Sequence, residues 1–275
     1  MMYLGVVGYP IKHSVSPAMH NAALKRAGIE GIYLAFEVKP EMLEKAVIGA
    51  KALGFTGLNV TIPFKEEVAK FVRLEGHAAK LKAVNTVNLR NMVGYNTDVY
   101  GVKASFSEVD VDGKVALVVG AGGAGKAASL ALMELGATVV LTNRTESRGL
   151  ETVEMLRKYG DCMFHLYTRV KELKGKIDIL VNATPIGMKG FDQRLPVPEE
   201  ILQPGMVVFD TVYNPLETPL IMKAKKVGCR VIYGIEMLVH QGAKAFEIWT
   251  GVRPDVNVMR KAALEALKKQ FITQP

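Results

Sequence analysis

Residues 115–126 read Val115-Ala-Leu-Val-Val-Gly-Ala-Gly-Gly-Ala-Gly-Lys126. An apolar strand runs here into Gly120-x-Gly122-x-x-Gly125, and a helical pattern follows from Ala127 to Leu135, closed by Gly136. Glycines at this spacing permit a tight turn and a close approach of backbone to a pyrophosphate, which the next helix N-terminus attracts. The glycine pattern alone is weak, because any tight strand–helix turn needs similar residues. The strand before it, the helix after it and a second strand ending at Asn143 complete the context of a dinucleotide-binding unit.

The second strand ends Leu141-Thr-Asn-Arg-Thr145. An NAD site places Asp or Glu there to hold the ribose hydroxyls. No acid stands at that point, and Arg144 can instead grip a 2′-phosphate through a charge-assisted contact. NADP is the expected cofactor.

Outward from this turn, short apolar runs alternate with helical patterns, which argues for βα units and largely parallel sheets. Strands are expected at 3–8, 31–38, 56–60 and 84–89, then at 114–119, 138–143, 162–167, 177–181, 206–210 and 230–233. Two further helical patterns, 235–249 and 255–270, close the chain with no strand to follow. The expected organisation is α/β, with an N-terminal domain over 1–100 and a Rossmann-type domain over 101–239. Residues 240–275 return to the first domain as helices packed back on it.

Hydrophobic residues make up 49% of the 275 and charged residues 23%, enough apolar surface to build a sizeable core and too much for disorder. The longest stretch without Asp, Glu, Lys or Arg runs from Ala52 to Phe64, short of the roughly 20 residues a membrane span needs. The N-terminus has no basic n-region and reads as a strand, so no signal peptide is expected. Two cysteines, Cys162 and Cys229, cannot build a disulfide framework, and the cytoplasm is the expected location. Lys and Arg exceed Asp and Glu by 35 to 27, a net charge of +8 that suits small anionic ligands. The basic residues are scattered rather than clustered with aromatics, so neither nucleic acid nor membrane is an expected partner.

Three segments of the first domain are polar for their positions. In Gly8-Tyr-Pro-Ile-Lys-His-Ser-Val-Ser-Pro-Ala-Met-His-Asn21, Ser16 before Pro17 reads as a helix cap, and Ser14 with Ser16 at a helix start can equally cradle a carboxylate. Gly57-Leu-Asn-Val-Thr-Ile-Pro-Phe-Lys65 brings Asn59, Thr61 and Lys65 to a strand end. Read structurally, Lys65 opens a helix in which Glu66 and Lys70 pair at i,i+4. Ala83-Val-Asn-Thr-Val87 and Gly94-Tyr-Asn-Thr-Asp98 also end in compact polar groups. Ligands of α/β folds sit at the carboxyl ends of strands, so these residues suggest a small polyhydroxylated ligand.

Taken together the segments resemble the shikimate dehydrogenase family. Its marks stand in order: PIxHSxSPxxHN at 10–21, NVTxPxK at 59–65, AVNT at 83–86, NTDxxG at 96–101 and GAGGAG at 120–125. They continue with NRT at 143–145, NATPIGM at 182–188, DxxYNPxxTPL at 210–220 and GxxMLxxQG at 234–242. The resemblance implies reversible, NADP-dependent reduction of 3-dehydroshikimate to shikimate, a step of chorismate and aromatic amino-acid biosynthesis. It implies that Ser14 and Ser16 hold the substrate carboxylate, and that Asn59, Thr61, Asn85, Asp98, Tyr213 and Gln241 surround the ring hydroxyls. Lys65 and Asp98 would be the catalytic pair. Gly120, Ala121, Gly122, Gly123 and Ala124 would take the pyrophosphate. Asn143, Arg144, Thr145 and Arg148 would take the adenosine phosphate, with Thr211 and Gly234 on the nicotinamide side. Gln241 has support of its own, because a buried amide on an apolar helix needs hydrogen-bond partners.

The chain departs from the family at Lys82, where glycine is frequent before AVNT, at the bulky Val99-Tyr100, and at Glu236 beside Gly234. Glu75 is the nearest candidate for an acid that some members carry between NVTxPxK and AVNT. Five histidines, His13, His20, His77, His165 and His240, show no metal-ligand spacing, and no metal is expected. His13 adjoins the carboxylate site. No GxSxG elbow supports a hydrolase. Two alternatives stay open: a quinate/shikimate dehydrogenase of broader specificity, and a catalytically idle NADP-binding regulatory module, against which Lys65 and Asp98 both speak. The sequence gives no oligomeric state, and a homodimer is one open assembly.

Overall fold

The computed structural model describes residues 1–11 and 14–272. The chain divides into two compact units, one from Met1 to Thr97 together with the chain from Val239 onward, the other Asp98–Leu238. The first unit runs β1 (Met2–Gly8), α1 (Ser16–Arg26), β2 (Gly31–Glu37), α2 (Leu43–Ala52), β3 (Gly57–Val60), β4 (Arg73–Leu74), α3 (His77–Leu81), β5 (Thr86–Asn88) and β6 (Val93–Tyr95). The second runs α4 (Asp98–Ser105), β7 (Val115–Val119), α5 (Gly123–Met133), β8 (Thr138–Thr142), α6 (Glu146–Leu156), β9 (Cys162–Phe164), β10 (Ile179–Asn182), β11 (Val207–Asp210), α7 (Pro219–Val227) and β12 (Arg230–Tyr233). There α8 (Gly234–Thr250) begins; its later turns and α9 (Val256–Ile272) belong to the first unit.

The first sheet has the order β2-β1-β3-β5-β6-β4. Strand β1 pairs parallel with β2 and β3, and β4 with β6, whereas β5 pairs antiparallel with β3 and β6. The sheet is therefore parallel-rich but mixed, with β5 as its one antiparallel strand. Residues 89–92 join β5 to β6, and only an antiparallel pair can be closed by so short a connection. At three and two residues, β6 and β4 are too short to show a period of two, so the pattern of the sequence does not mark them as strands.

Leu43 and Val47 of α2 pack with Val7, Leu58, Val60, Phe64 and Val87 to form one core of this unit. Trp249 of α8 is fully buried and its Nε1 donates to Val87 O at 3.0 Å. The indole lies on Gly57, where a Cβ would come within 2.1 Å of Nε1. Helix α9 packs on α1. The closing helices do return to the first unit. The open edge of the sheet at β2 is blunted, since Asn21 of α1 donates to Tyr33 O at 2.9 Å and accepts from Tyr33 N at 2.8 Å. A side-chain amide there stands in for a further strand.

The second sheet is parallel throughout, in the order β12-β11-β10-β7-β8-β9. Its central strand β7 is the valine-rich run 115–119, and the chain reverses direction across the sheet on either side of it. That switch point is where open α/β sheets bind ligands. Leu117, Val119, Leu180 and Val208 meet Leu220 and Ala224 of α7 in its core. Among the described residues no helix is long and apolar enough to cross a membrane, and no group of three or more His, Cys, Asp or Glu could hold a metal.

Candidate active site

The glycine turn of the second unit begins at Gly120, whose φ of +112° favours glycine. A Cβ on Gly125 would lie 1.8 Å from Gly120 O, so the turn closes only with glycine at that position. Helix α5 starts at Gly123, four residues before its expected start, because the glycines themselves make its first turn. Gly122 is the N-cap, and a Cβ there would meet no atom within 4 Å. This open cradle before a helix N-terminus fits a pyrophosphate. Asn143 is used internally: its Oδ1 accepts from Ala121 N at 3.1 Å and its Nδ2 donates to Thr145 O at 2.8 Å. It thereby ties the end of β8 to the turn. Arg144, Thr145 and Arg148 are exposed, and the first acid after β8 is Glu146 at the start of α6. This donor set fits a phosphorylated ribose better than a free one.

At the ends of β10 and β11 lies a buried polar group whose roles are not legible in the sequence. Asn182 donates to Asp210 Oδ1 at 2.9 Å and to Ile186 O at 3.0 Å, and accepts from Thr184 Oγ1 at 2.7 Å. Asp210 also accepts from Thr218 Oγ1 at 2.6 Å and Val212 N at 3.0 Å. Burial pushes the Asp210 carboxyl up to about 6, against the pull of these donors. These residues stand in NATPIGM and DxxYNPxxTPL, and the motifs are the only signal that marks them. Between them, Thr211 N donates to Asn182 O at 3.0 Å. Gly234 sits where a Cβ would be 2.6 Å from Thr211 O, so close approach requires glycine. Tyr213 as a whole residue is half-buried, and loss of water around the phenol pushes it up to about 12. Asp98, also in this unit, is buried at the first position of α4.

In the first unit Asn85 and Gln241, 156 positions apart, meet directly: Asn85 Nδ2 donates to Gln241 Oε1 at 3.2 Å. Thr97 N donates to Asn85 Oδ1 at 2.7 Å, and Thr97 Oγ1 lies 3.3 Å from Gln241 Oε1. Asn59 is used inside the protein, with Nδ2 donating to Asn85 O at 3.0 Å and Thr86 Oγ1 at 3.1 Å. Lys65 is half-buried, and its carbonyl accepts from Val84 N at 2.7 Å. No α-helix opens there. Residues 68–70 form a single 3-10 turn, and Lys70 pairs with Glu67 at 2.7 Å rather than with Glu66. A half-buried Thr61 accepts from Phe64 N at 2.9 Å, and this tight turn leaves no register for the i,i+4 pair.

Ser16 is not the cap of α1 but its first helical residue, with Val15 at the cap position and no side-chain cap bond. The Ser14 hydroxyl accepts from Ser16 N at 3.3 Å, a long contact from one residue further out. Pro17 removes the N–H that a cap at Ser16 would leave beside it. Expectations for His13 concern a residue outside the described ones.

Three family models match the chain: the shikimate dehydrogenase substrate binding domain over 6–87, shikimate / quinate 5-dehydrogenase over 102–188, and the shikimate 5′-dehydrogenase C-terminal domain over 234–264. A shikimate dehydrogenase (NADP(+)) of Archaeoglobus fulgidus is 70% identical over 268 residues, covering 98% of this chain and 100% of that protein. A solved shikimate dehydrogenase in complex with NADP+ superposes with a TM-score of 0.90 at 38% identity, covering 97% of this chain and 96% of its own. The Thermus thermophilus shikimate 5-dehydrogenase, in complex with NADP(H) and shikimate, gives 0.88 at 36% identity, covering 97% and 100%. A chain that shares seven residues in ten with one such enzyme over nearly its whole length, and its fold with others, belongs to the shikimate dehydrogenase family.

Proposed function

We propose that this chain is an NADP-dependent oxidoreductase that interconverts 3-dehydroshikimate and shikimate, in the route to chorismate and the aromatic amino acids. The observation that carries this reading is the 70% identity to the Archaeoglobus fulgidus enzyme over nearly the full length of both. The cradle at Gly122 and the exposed Arg144 at an acid-free strand end agree with it. When bound, NADP supplies or takes up the hydride at its nicotinamide. Gly120 to Ala124 hold the pyrophosphate, Arg144, Thr145 and Arg148 the adenosine phosphate, and Thr211 and Gly234 line the nicotinamide.

Reduction of a ketone leaves an alkoxide that needs a proton as it forms. Lys65 Nζ supplies that proton and accepts it back in the oxidation direction. Asp98 accepts from a ring hydroxyl. Thr61, Asn85, Tyr213 and Gln241 complete the shell around the ring, and Ser14 with Ser16 holds the carboxylate. Asn143 and Asn59 act one step behind, because their amides are engaged within the protein. The two free cysteines, Cys162 and Cys229, support a cytoplasmic setting. A homodimer is the assembly this reading carries, and light scattering on the purified chain tests it.

The decisive experiment mixes the protein with shikimate and NADP+, then with quinate and NAD+, and follows reduced nicotinamide by absorbance. Turnover with the first pair and little with the second is expected. Equal turnover of quinate would make it the broader quinate/shikimate enzyme. Inertness toward both would leave an NADP-binding module.

A further inference from the structure

We propose that Tyr33, a residue of β2 outside every motif, is a positioning residue that anchors the hydrogen-bond chain behind the substrate-facing amides of Asn85 and Gln241. Tyr33 is fully buried and held at three points. Asn21 takes its main-chain N–H and C=O, the ring stacks on His20 at 4.2 Å with planes 6° apart, and its Oη donates to Asn59 Oδ1 at 2.7 Å.

From that hydroxyl a directed chain of hydrogen bonds runs inward, and backbone groups set its polarity. Asn59 Nδ2 faces the carbonyl of Asn85, which can only accept, so Oδ1 is the atom left toward Tyr33. Asn59 Nδ2 also donates to Thr86 Oγ1, and Thr86 donates onward to Asn85 Oδ1 at 3.1 Å. The N–H of Thr97, which can only donate, meets the same Oδ1. Nδ2 of Asn85 is thereby turned to Gln241 Oε1, and Gln241 turns its own Nε2 away from Asn85. Flipping any one amide would oppose two donors or two acceptors in a buried site, so the backbone fixes the direction of the chain, and the hydroxyl of Tyr33, by satisfying Asn59 Oδ1, anchors its outer end. The arrangement is what a ring hydroxyl would meet.

The kinetic part of this inference rests on the shikimate reading; the amide geometry does not. Tyr33→Phe keeps the ring and removes only the hydroxyl. It should raise the KM for shikimate about 5- to 10-fold, the loss of one neutral hydrogen bond. The kcat should stay within about twofold, with NADP+ affinity unchanged. In an Asn59→Ala background the same change should add almost nothing, since Tyr33 acts through Asn59. Thr86→Val cuts the chain one residue further on and should move KM the same way, which keeps the test open if Tyr33→Phe folds poorly. Leu267→Ala, a core change in α9 of the same unit, should lower Tm and leave KM alone. Side-chain amide NMR signals of Asn85 and Gln241 in ligand-free Tyr33→Phe should shift. Unmoved signals, or a KM within about twofold of wild type in both Tyr33→Phe and Thr86→Val, would overturn the proposal. Wild-type inertness toward shikimate would instead overturn the substrate reading, and the NMR comparison would still decide the role of Tyr33.

Discussion

Lys82 follows α3 with φ +49° and ψ +38°, a left-handed conformation in which a side chain crowds the backbone. The departure from the family's frequent glycine at this position is thus a matter of backbone geometry. Lys82→Gly should relieve that crowding, with part of the gain offset by the greater freedom of glycine in the unfolded chain. A net stabilisation of about 0.5–1 kcal/mol is expected, a rise in Tm of roughly 1–4 °C by calorimetry. On the proposed reading, cofactor choice turns on Arg144. A hydrogen bond to a charged group contributes about 1.5–3 kcal/mol, so Arg144→Ala should weaken NADP+ binding roughly 10- to 150-fold and barely alter NAD+ binding. Calorimetric titration of both cofactors checks it, and equal losses would make Arg144 a structural residue. Lys65→Met should lower kcat by about 10²- to 10⁴-fold, the usual contribution of acid–base catalysis, with NADP+ affinity intact. Near wild-type turnover would end the assignment of the proton to Lys65.

Among the elements, α7 shows how a motif residue serves the fold. Thr218 caps the helix by accepting from Ile221 N at 3.2 Å, and it donates to the buried Asp210 at 2.6 Å. Pro219 opens the helix and Gly228, at φ +88°, closes it. Thr218→Val keeps the shape and removes both bonds. The cap contributes about 1 kcal/mol and a hydrogen bond to a charged group about 1.5–3 kcal/mol, so a loss of roughly 2–4 kcal/mol is expected in denaturant unfolding. Losing a donor should also raise the Asp210 carboxyl further. Thr-Pro at the start of this helix and Gly at its end are local signals. The partner of its cap is not local, because Asp210 lies on another strand.

At the scale of the whole molecule the two units should answer acid in opposite ways. Burial lowers His20, in the first unit, from 6.5 to about 3. The unfolded chain then binds the proton more readily, so this group's stabilisation is full above pH 6.5 and is lost as pH falls toward 3. Asp210, in the second unit, is raised from 3.8 to about 6. Its contribution is full below pH 3.8 and is lost as pH rises through 6. Each has a slope of about 1.4 kcal/mol per pH unit inside its window. Between pH 6 and 4, acid should weaken the first unit and strengthen the second. His20→Phe keeps a ring against Tyr33 and should abolish the acid weakening of the first unit. Denaturant unfolding read by fluorescence of the single tryptophan, Trp249, 5.7 Å from His20, follows that unit. An unchanged acid limb in the variant would place the sensitivity elsewhere.

The sequence by itself determined what depends on neighbours along the chain. The glycine turn, the acid-free strand end at Arg144 and the alternation of strand and helix all follow from local backbone geometry and from burial at a fixed period. Only the tertiary structure decided which polar groups hold one another. Asn85 finds Gln241 across 156 positions and Trp249 finds Val87 across 162, and no spacing encodes those partners. It also decided that Asn59 and Asn143 bond within the protein, that Tyr33 reaches Asn59 and through it the amides of Asn85 and Gln241, and that the first sheet is mixed. A buried donor or acceptor must be satisfied by whatever the packing places beside it. Local sequence states that the need exists, and the assembled fold supplies the partner.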